Sequence, residues 1–300
     1  MKKRSVFFLC VSFFLFISSS LSAQIKYAVI PDNPRPGEPI TIAVETELKQ
    51  ALLVRSEKQL AKADFFSIPG YMIAVLAIPS TVAPGNAVIV LENKIGILCE
   101  IPIVIGDRKF ASEVIELNQT LTGIRTDPSP QRTHEANFLW AILTTNGDQI
   151  YHTGSFVPPV TSTRRTSFFG DRRVFQYSTG ESDTSIHAGV DYGVPTGTKV
   201  TACGAGKVIL ARSRIVTGNS VVLEHAPGIY SIYYHLDKIE VQESALVNTG
   251  TLLGLSGATG LATGPHLHWE VRVNAENTDP DAFVARPIID KETIISKMNK

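Results

Sequence analysis

Turn-forming residues interrupt the first third of this chain so often that only short β-strands fit between them. The run PDNPRPGEP (31–39) is dense in proline, glycine, aspartate and asparagine, residues that preset turn geometry. ITIAVETEL follows with the alternation of a half-buried strand, and ALLVRS, YMIAVLAIP, NAVIVLE and GILCEIPIVIG come next, spaced by further turns. About seven short strands over residues 24–107 predict a small accessory β-sandwich, immunoglobulin-like in general form. This stretch holds no cluster of histidine or acidic side chains, so no chemistry is assigned to it.

Residues 1–23 read MKKRSVFFLCVSFFLFISSSLSA. A basic start (Lys2, Lys3, Arg4), an apolar run from Val6 to Ile17 and a small-residue tail form the pattern of a secretory signal peptide, cleaved after Ser22 or Ala23. An uncleaved anchor is the alternative, although the apolar run is short of the roughly 20 residues of a comfortable span. Export is therefore expected, to the periplasm or cell envelope or into the medium, with no transmembrane segment in the mature chain. Without its three basic residues the chain keeps 25 positive against 28 negative side chains. That balance gives no bulk attraction to nucleic acid. Cys99 and Cys203 remain, too few for a disulfide framework or a thiolate metal site, and are expected to be small buried hydrophobes. At 300 residues, 44% hydrophobic and 19% charged, the chain suits two modest domains, each with its own core, and a monomer is expected.

Residues 108–155 read as a connector with one helix. Ser129 and Pro130 supply a cap and a first turn. Ala136, Leu139, Ile142 and Leu143 recur at helical spacing, and Asn146-Gly147 ends the run. A second β-rich stretch begins at Phe156 and contains five of the seven histidines. The fold class is thus all-β, with a short helical connector between two β-rich parts.

Three motifs in that second stretch carry chemistry. In SIHAGVDYG, His187 and Asp191 flank Gly189, which lets the backbone bend so that both side chains converge. Alone, such an H-x-x-x-D is weak. In GPHLHWEVRV, strand alternation puts His266 and His268 on one face, about 7 Å apart, with Leu267 and Trp269 on the other. In IYSIYYHLDKIEV, His235 ends a tyrosine-rich strand, either as a catalytic group or as a core-edge histidine capped by Asp237. His225 reads as structural, and His134 and His152 as surface residues.

Taken together with SFFGDRRVF (167–175) and GTLLGLSGATG (250–260), the ordered set H-A-G-V-D, Y-Y-H-L-D and G-P-H-L-H-W-E resembles the LytM/lysostaphin-type family of zinc metallopeptidases, which cut peptide bonds in bacterial peptidoglycan. The resemblance spans roughly residues 156–285 of a 156–300 domain. It implies one zinc ion per chain held by His187, Asp191 and His268, with His235 and His266 flanking the reacting water as catalytic residues. It also implies peptidoglycan as partner and cross-link hydrolysis as activity. Ser244 departs from the family by standing where glycine is common. The alternatives are a catalytically inactive wall-binding regulator or amidase activator, and an envelope protein in which zinc only stabilises the fold. The resemblance leaves open whether Gly-Gly bridges or D-amino-acid cross-links are cut. The connector's Asn118, Asp127 and Asn137 suggest a segment that reaches the metal and blocks it, so that deleting residues 24–150 would raise activity.

Overall fold

The computed structural model describes residues 25–299, so the signal segment lies outside the described residues. Eight strands build the N-terminal part: β1 (Tyr27–Ile30), β2 (Pro39–Val44), β3 (Gln50–Arg55), β4 (Lys58–Asp64), β5 (Phe66–Ile68), β6 (Tyr71–Ala77), β7 (Gly85–Glu92) and β8 (Ile97–Ile105). They form two four-stranded sheets, ordered β1-β2-β6-β5 and β4-β3-β7-β8. The sheets close on a core that includes Ile40, Ile42, Leu53, Leu76, Ile89 and Leu91. The protein is all-β in class, and this part is the expected β-sandwich.

The first of these sheets is apolar on both faces. Its outer face, with Ala43, Ile73 and Val75, joins the same core as Trp269, Val271 and Val273 of the C-terminal part. The two parts therefore share a core, where separate cores were expected. The continuous apolar run YMIAVLA of β6 is the cause, since a strand buried on both faces does not alternate. Polar contacts seal the junction: Arg108 pairs with Asp279 at 2.6 Å, Asn274 donates to the Val75 carbonyl at 2.9 Å, and the Thr41 hydroxyl donates to the Ile288 carbonyl at 3.0 Å.

Residues 108–155 hold more than the single expected helix. Strand β9 (Ser112–Glu116) precedes α1 (Gln119–Thr126) and α2 (Pro130–Thr144). Helix α2 starts as expected, with the Ser129 hydroxyl accepting from the Arg132 amide. Helix α1 was hidden by Gly123 and its threonines, which are weak helix formers. Asn118 nonetheless caps it by accepting from the Leu121 amide, and Pro128 bars its continuation.

The C-terminal part continues with β10 (Arg165–Ser167), β11 (Arg172–Gln176), β12 (Ser182–Ile186), β13 (Val190–Tyr192), β14 (Lys199–Thr201), β15 (Gly206–Arg214), β16 (Gly218–Ala226), β17 (Ile229–Ile239), β18 (Leu246–Val247), β19 (Leu252–Ser256), β20 (Leu267–Val273) and β21 (Glu276–Thr278). Short helices α3 (Pro280–Ala285) and α4 (Lys291–Met298) close the chain. The main sheet runs β10-β13-β20-β17-β16-β15-β18. A separate three-stranded sheet, β12-β11-β9, takes its parallel strand β9 from the connector. Ser244 sits at φ 71°, the left-handed region that glycine fills without cost, which explains the family's glycine at this turn. Cys203 is buried and Cys99 half-buried, both as free thiols. No described helix is long and apolar enough to cross a membrane.

Candidate metal centre

Strand pairing assembles the centre. In the antiparallel pair β13–β20, Asp191 stands opposite His268, and on the other side of β20, Tyr234 stands opposite His268. His187 arrives from the turn between β12 and β13. The expected bend at Gly189 has a different physical basis: a Cβ there would overlap the Trp269 carbonyl oxygen and crowd Glu270 Cα. Glycine is required so that the His187–Asp191 turn can lie against the backbone of β20.

Three atoms then form a triangle. His187 Nε2 lies 3.0 Å from His268 Nδ1 and 3.2 Å from Asp191 Oδ1, and His268 Nδ1 lies 2.7 Å from Asp191 Oδ1. The far ring nitrogens fix the tautomers. His187 Nδ1–H donates to the Phe168 carbonyl at 2.7 Å, and His268 Nε2–H donates to Glu270 Oε1 at 2.8 Å. Both acceptors lack hydrogens, so each imidazole in its neutral form turns a lone pair toward the carboxylate. Two lone pairs and an anionic oxygen facing one another repel unless a cation lies among them. Tetrahedral zinc bonds of about 2.0–2.2 Å put donors about 3.3 Å apart, close to the observed triangle. Among the described residues these three form the one group of histidine, cysteine or acidic side chains that could hold a metal ion. A centre with three protein donors has the composition of a catalytic rather than a structural metal site.

Without a metal the same spot draws a proton instead, which marks it as a place that attracts positive charge. Burial disfavours an imidazolium at His268, but Asp191 and Glu270 outweigh it and raise the group to about 9. Burial likewise opposes charge on Asp191, yet the imidazoles of His268 and His187 hold its carboxyl well below the usual range. Glu270, fully enclosed, is brought down to about 2 because Arg272 and His268 overcome its burial. Glu270 thus completes a carboxylate–histidine arrangement that orients the ring and raises its basicity. Glu270→Gln is expected to weaken metal affinity about ten- to a hundredfold, read by competition with a chelating dye.

His235 and His266 share the same cavity, of about 250 Å³, with the triangle. Their rings are 4.7 Å apart. His235 Nδ1–H donates to the Thr259 carbonyl and His266 Nδ1–H to the Gly264 carbonyl, both at 2.8 Å, leaving each Nε2 as an acceptor. Burial, then the neighbouring His266 and His268, push His235 down to about 3, and burial also lowers His266. Both rings are neutral bases near neutral pH. His235 takes φ 61°, and its amide bonds to the Thr217 carbonyl, a strained kink that turns the ring out of the β17 ladder. The Asp237 cap is absent, since Thr259 holds the ring instead.

The remaining histidines lie away from the triangle. His225 is buried, held by the Ala205 carbonyl and Ser231, while His152 is half-buried and stacks on Phe156 instead of lying free on the surface. His134 is exposed.

Sequence reasoning missed Arg173, although it lies in the quoted SFFGDRRVF segment. Its Nη2 donates to Asp191 Oδ2 at 2.8 Å, and its Nε donates to Glu113 Oε1 at 2.5 Å. Glu113 sits on β9 and also accepts from the Ser167 hydroxyl. The connector therefore supports a metal-facing carboxylate. The blocking role expected of the connector is overturned: Asn118 and Asp127 spend their side chains on the Leu121 and Ser129 amides, and Asn137 is exposed on α2. None of the three lines the cavity. Deleting residues 24–150 would remove a strand from the cavity wall, and the expectation of higher activity is withdrawn.

Comparison with known proteins agrees with this geometry. Residues 185–280 match the model of peptidase family M23. The peptidoglycan DD-endopeptidase ShyB of Vibrio cholerae is 45% identical over 93 residues, which are 31% of this chain and 22% of that protein. ShyA of the same organism, also a peptidoglycan DD-endopeptidase, is 37% identical over 128 residues, 43% of this chain and 29% of its own. This chain thus spans less than a third of the length of either relative. A crystal structure of a candidate M23 peptidase from Pseudomonas aeruginosa superposes with a TM-score of 0.60 at 26% identity, covering 84% of this chain and 94% of that one. The three histidine motifs and the metal triangle all lie within residues 185–280, the segment of this chain that matches peptidase family M23.

Proposed function

We propose that this protein is a zinc-dependent endopeptidase that hydrolyses peptide cross-links of bacterial peptidoglycan. The triangle of His187, Asp191 and His268, facing the same cavity as two neutral histidines, is the observation that carries this reading. Zinc bound there would supply Lewis-acid chemistry, polarising the scissile carbonyl and making a water acidic near neutral pH. His187, Asp191 and His268 act as the ligands, and Glu270 and Arg173 keep two of them in place. His235 and His266 are the catalytic bases: an Nε2 lone pair accepts the proton of the attacking water, and the resulting imidazolium returns it to the leaving amine. The names of the two Vibrio relatives favour cross-links between D-amino acids over glycine bridges. The substrate lies outside the cytoplasm, so the reading also requires export, the role proposed for the segment that ends near Ala23.

Purified protein, stripped with a chelator and reloaded with zinc, is to be incubated with isolated sacculi and the products resolved by mass spectrometry. Zinc-dependent loss of cross-linked dimers with matching gain of monomers is the expected result. Zinc-loaded protein that binds sacculi and leaves every cross-link intact would instead make this chain an inactive wall-binding regulator.

A further inference from the structure

One wall of the metal cavity comes mostly from outside the residues that match the family. It is the three-stranded sheet β12-β11-β9, topped by α1. Arg173 and Phe175, two residues apart on β11, share its inner face, with Ile115 of β9 and Asp183 of β12 paired to either side of Phe175. Arg125 reaches over this face from α1 and lines the cavity. Its guanidinium carbon lies 3.8 Å from the centre of the Phe175 ring. Its Nε and Nη2 both bond to a single oxygen, Asp183 Oδ1, at 3.0 and 2.7 Å. The second terminal nitrogen, Nη1, has no hydrogen-bond partner among the described residues, although the side chain is only 17% exposed.

A guanidinium held over an aromatic ring, with a donor to spare, is preorganised for a planar anion. The carboxylates at the metal end of the cavity are already engaged: Asp191 by Arg173 and the histidines, Glu270 by His268 and Arg272. They leave Arg125 with Asp183 and the neighbouring Tyr177 hydroxyl as its internal partners. The apolar flank of Ile115, Leu117 and Phe175 suits an aliphatic stem leading to the charge.

We propose that Arg125 is a specificity residue that anchors a free carboxylate of the peptide substrate. The inference rests on the endopeptidase reading and extends it to the kind of substrate taken. Asp183 lies four residues before His187 along β12, so the anchor is ~13 Å along the wall from the metal triangle. That distance corresponds to about four residues of extended peptide, or to fewer with a long side chain.

The test uses the zinc-loaded full chain and two defined cross-linked peptides, identical except that the carboxylate distal to the scissile bond is free in one and amidated in the other. Wild type is expected to favour the free acid about ten- to a hundredfold in kcat/KM, mainly through KM, the worth of a charge-assisted hydrogen bond. Arg125→Gln should erase that preference with zinc content unchanged, and Arg125→Lys should restore part of it. Equal cleavage of both peptides by wild type would overturn the assignment. So would an Arg125→Gln variant that slows both to the same degree, the mark of a structural role. Cleavage of neither peptide, with sacculi also untouched, would overturn the endopeptidase reading itself.

Discussion

Alanine at His268 is expected to strip the protein of its metal and to lower peptidoglycan hydrolysis at least about a thousandfold, while His235→Ala keeps the metal and loses rate. The contrast follows from where each ring points. His268 contributes Nδ1 to the triangle and is locked by Glu270 behind it. Without it, two donors remain, and the Glu270–Arg272 pair loses the imidazole it was aimed at. A catalytic metal contributes several kcal/mol to transition-state stabilisation, which at 1.36 kcal/mol per decade is three or more orders of magnitude. His235 is anchored to the Thr259 carbonyl and lies outside the triangle, so its loss removes a proton acceptor and leaves three ligands. Metal content by elemental analysis, with hydrolysis measured on the same preparations, separates the two. Zinc-loaded His268→Ala at full activity would refute the ligand assignment.

Gly189→Ala carries the second large expected effect, although a single methyl group is added. The new Cβ would meet backbone atoms of Trp269 and Glu270, which cannot swing aside as a side-chain tip can. Either β13 separates from β20, breaking the register that sets Asp191 opposite His268, or the 187–191 turn moves. Both cost about 2–4 kcal/mol of stability, in the range of overpacking combined with lost pairing. The prediction is a lower melting temperature together with loss of stoichiometric metal. A variant with wild-type melting and full metal content would show that the close approach is not required.

The side chains of the candidate centre were legible in the sequence because each lies in a short local pattern. An H-x-x-x-D around glycine, an H-x-H at the start of a strand and a histidine in a tyrosine-rich run all line one cavity. What surrounds them was less legible, for identifiable reasons. Strand β9 is short, and it pairs in parallel with β11 about 60 residues later in the chain; such pairing leaves no local trace. Helix α1 contains glycine and three threonines, so its propensity argued against it even though Asn118 caps it. Arg173 was visible as a residue, but its partners Asp191 and Glu113 come from different sheets. In β6 the signal was present: an unbroken apolar run indicates burial on both faces, and with it the core shared between the two parts of the chain.

The most direct measurement is an anomalous difference map recorded at the zinc edge on crystals of the zinc-loaded protein. The expected map holds one peak per chain within about 2.0–2.2 Å of His187 Nε2, Asp191 Oδ1 and His268 Nδ1. A peak at other side chains, or no peak between these three atoms in protein that hydrolyses sacculi, would contradict the assignment of the centre.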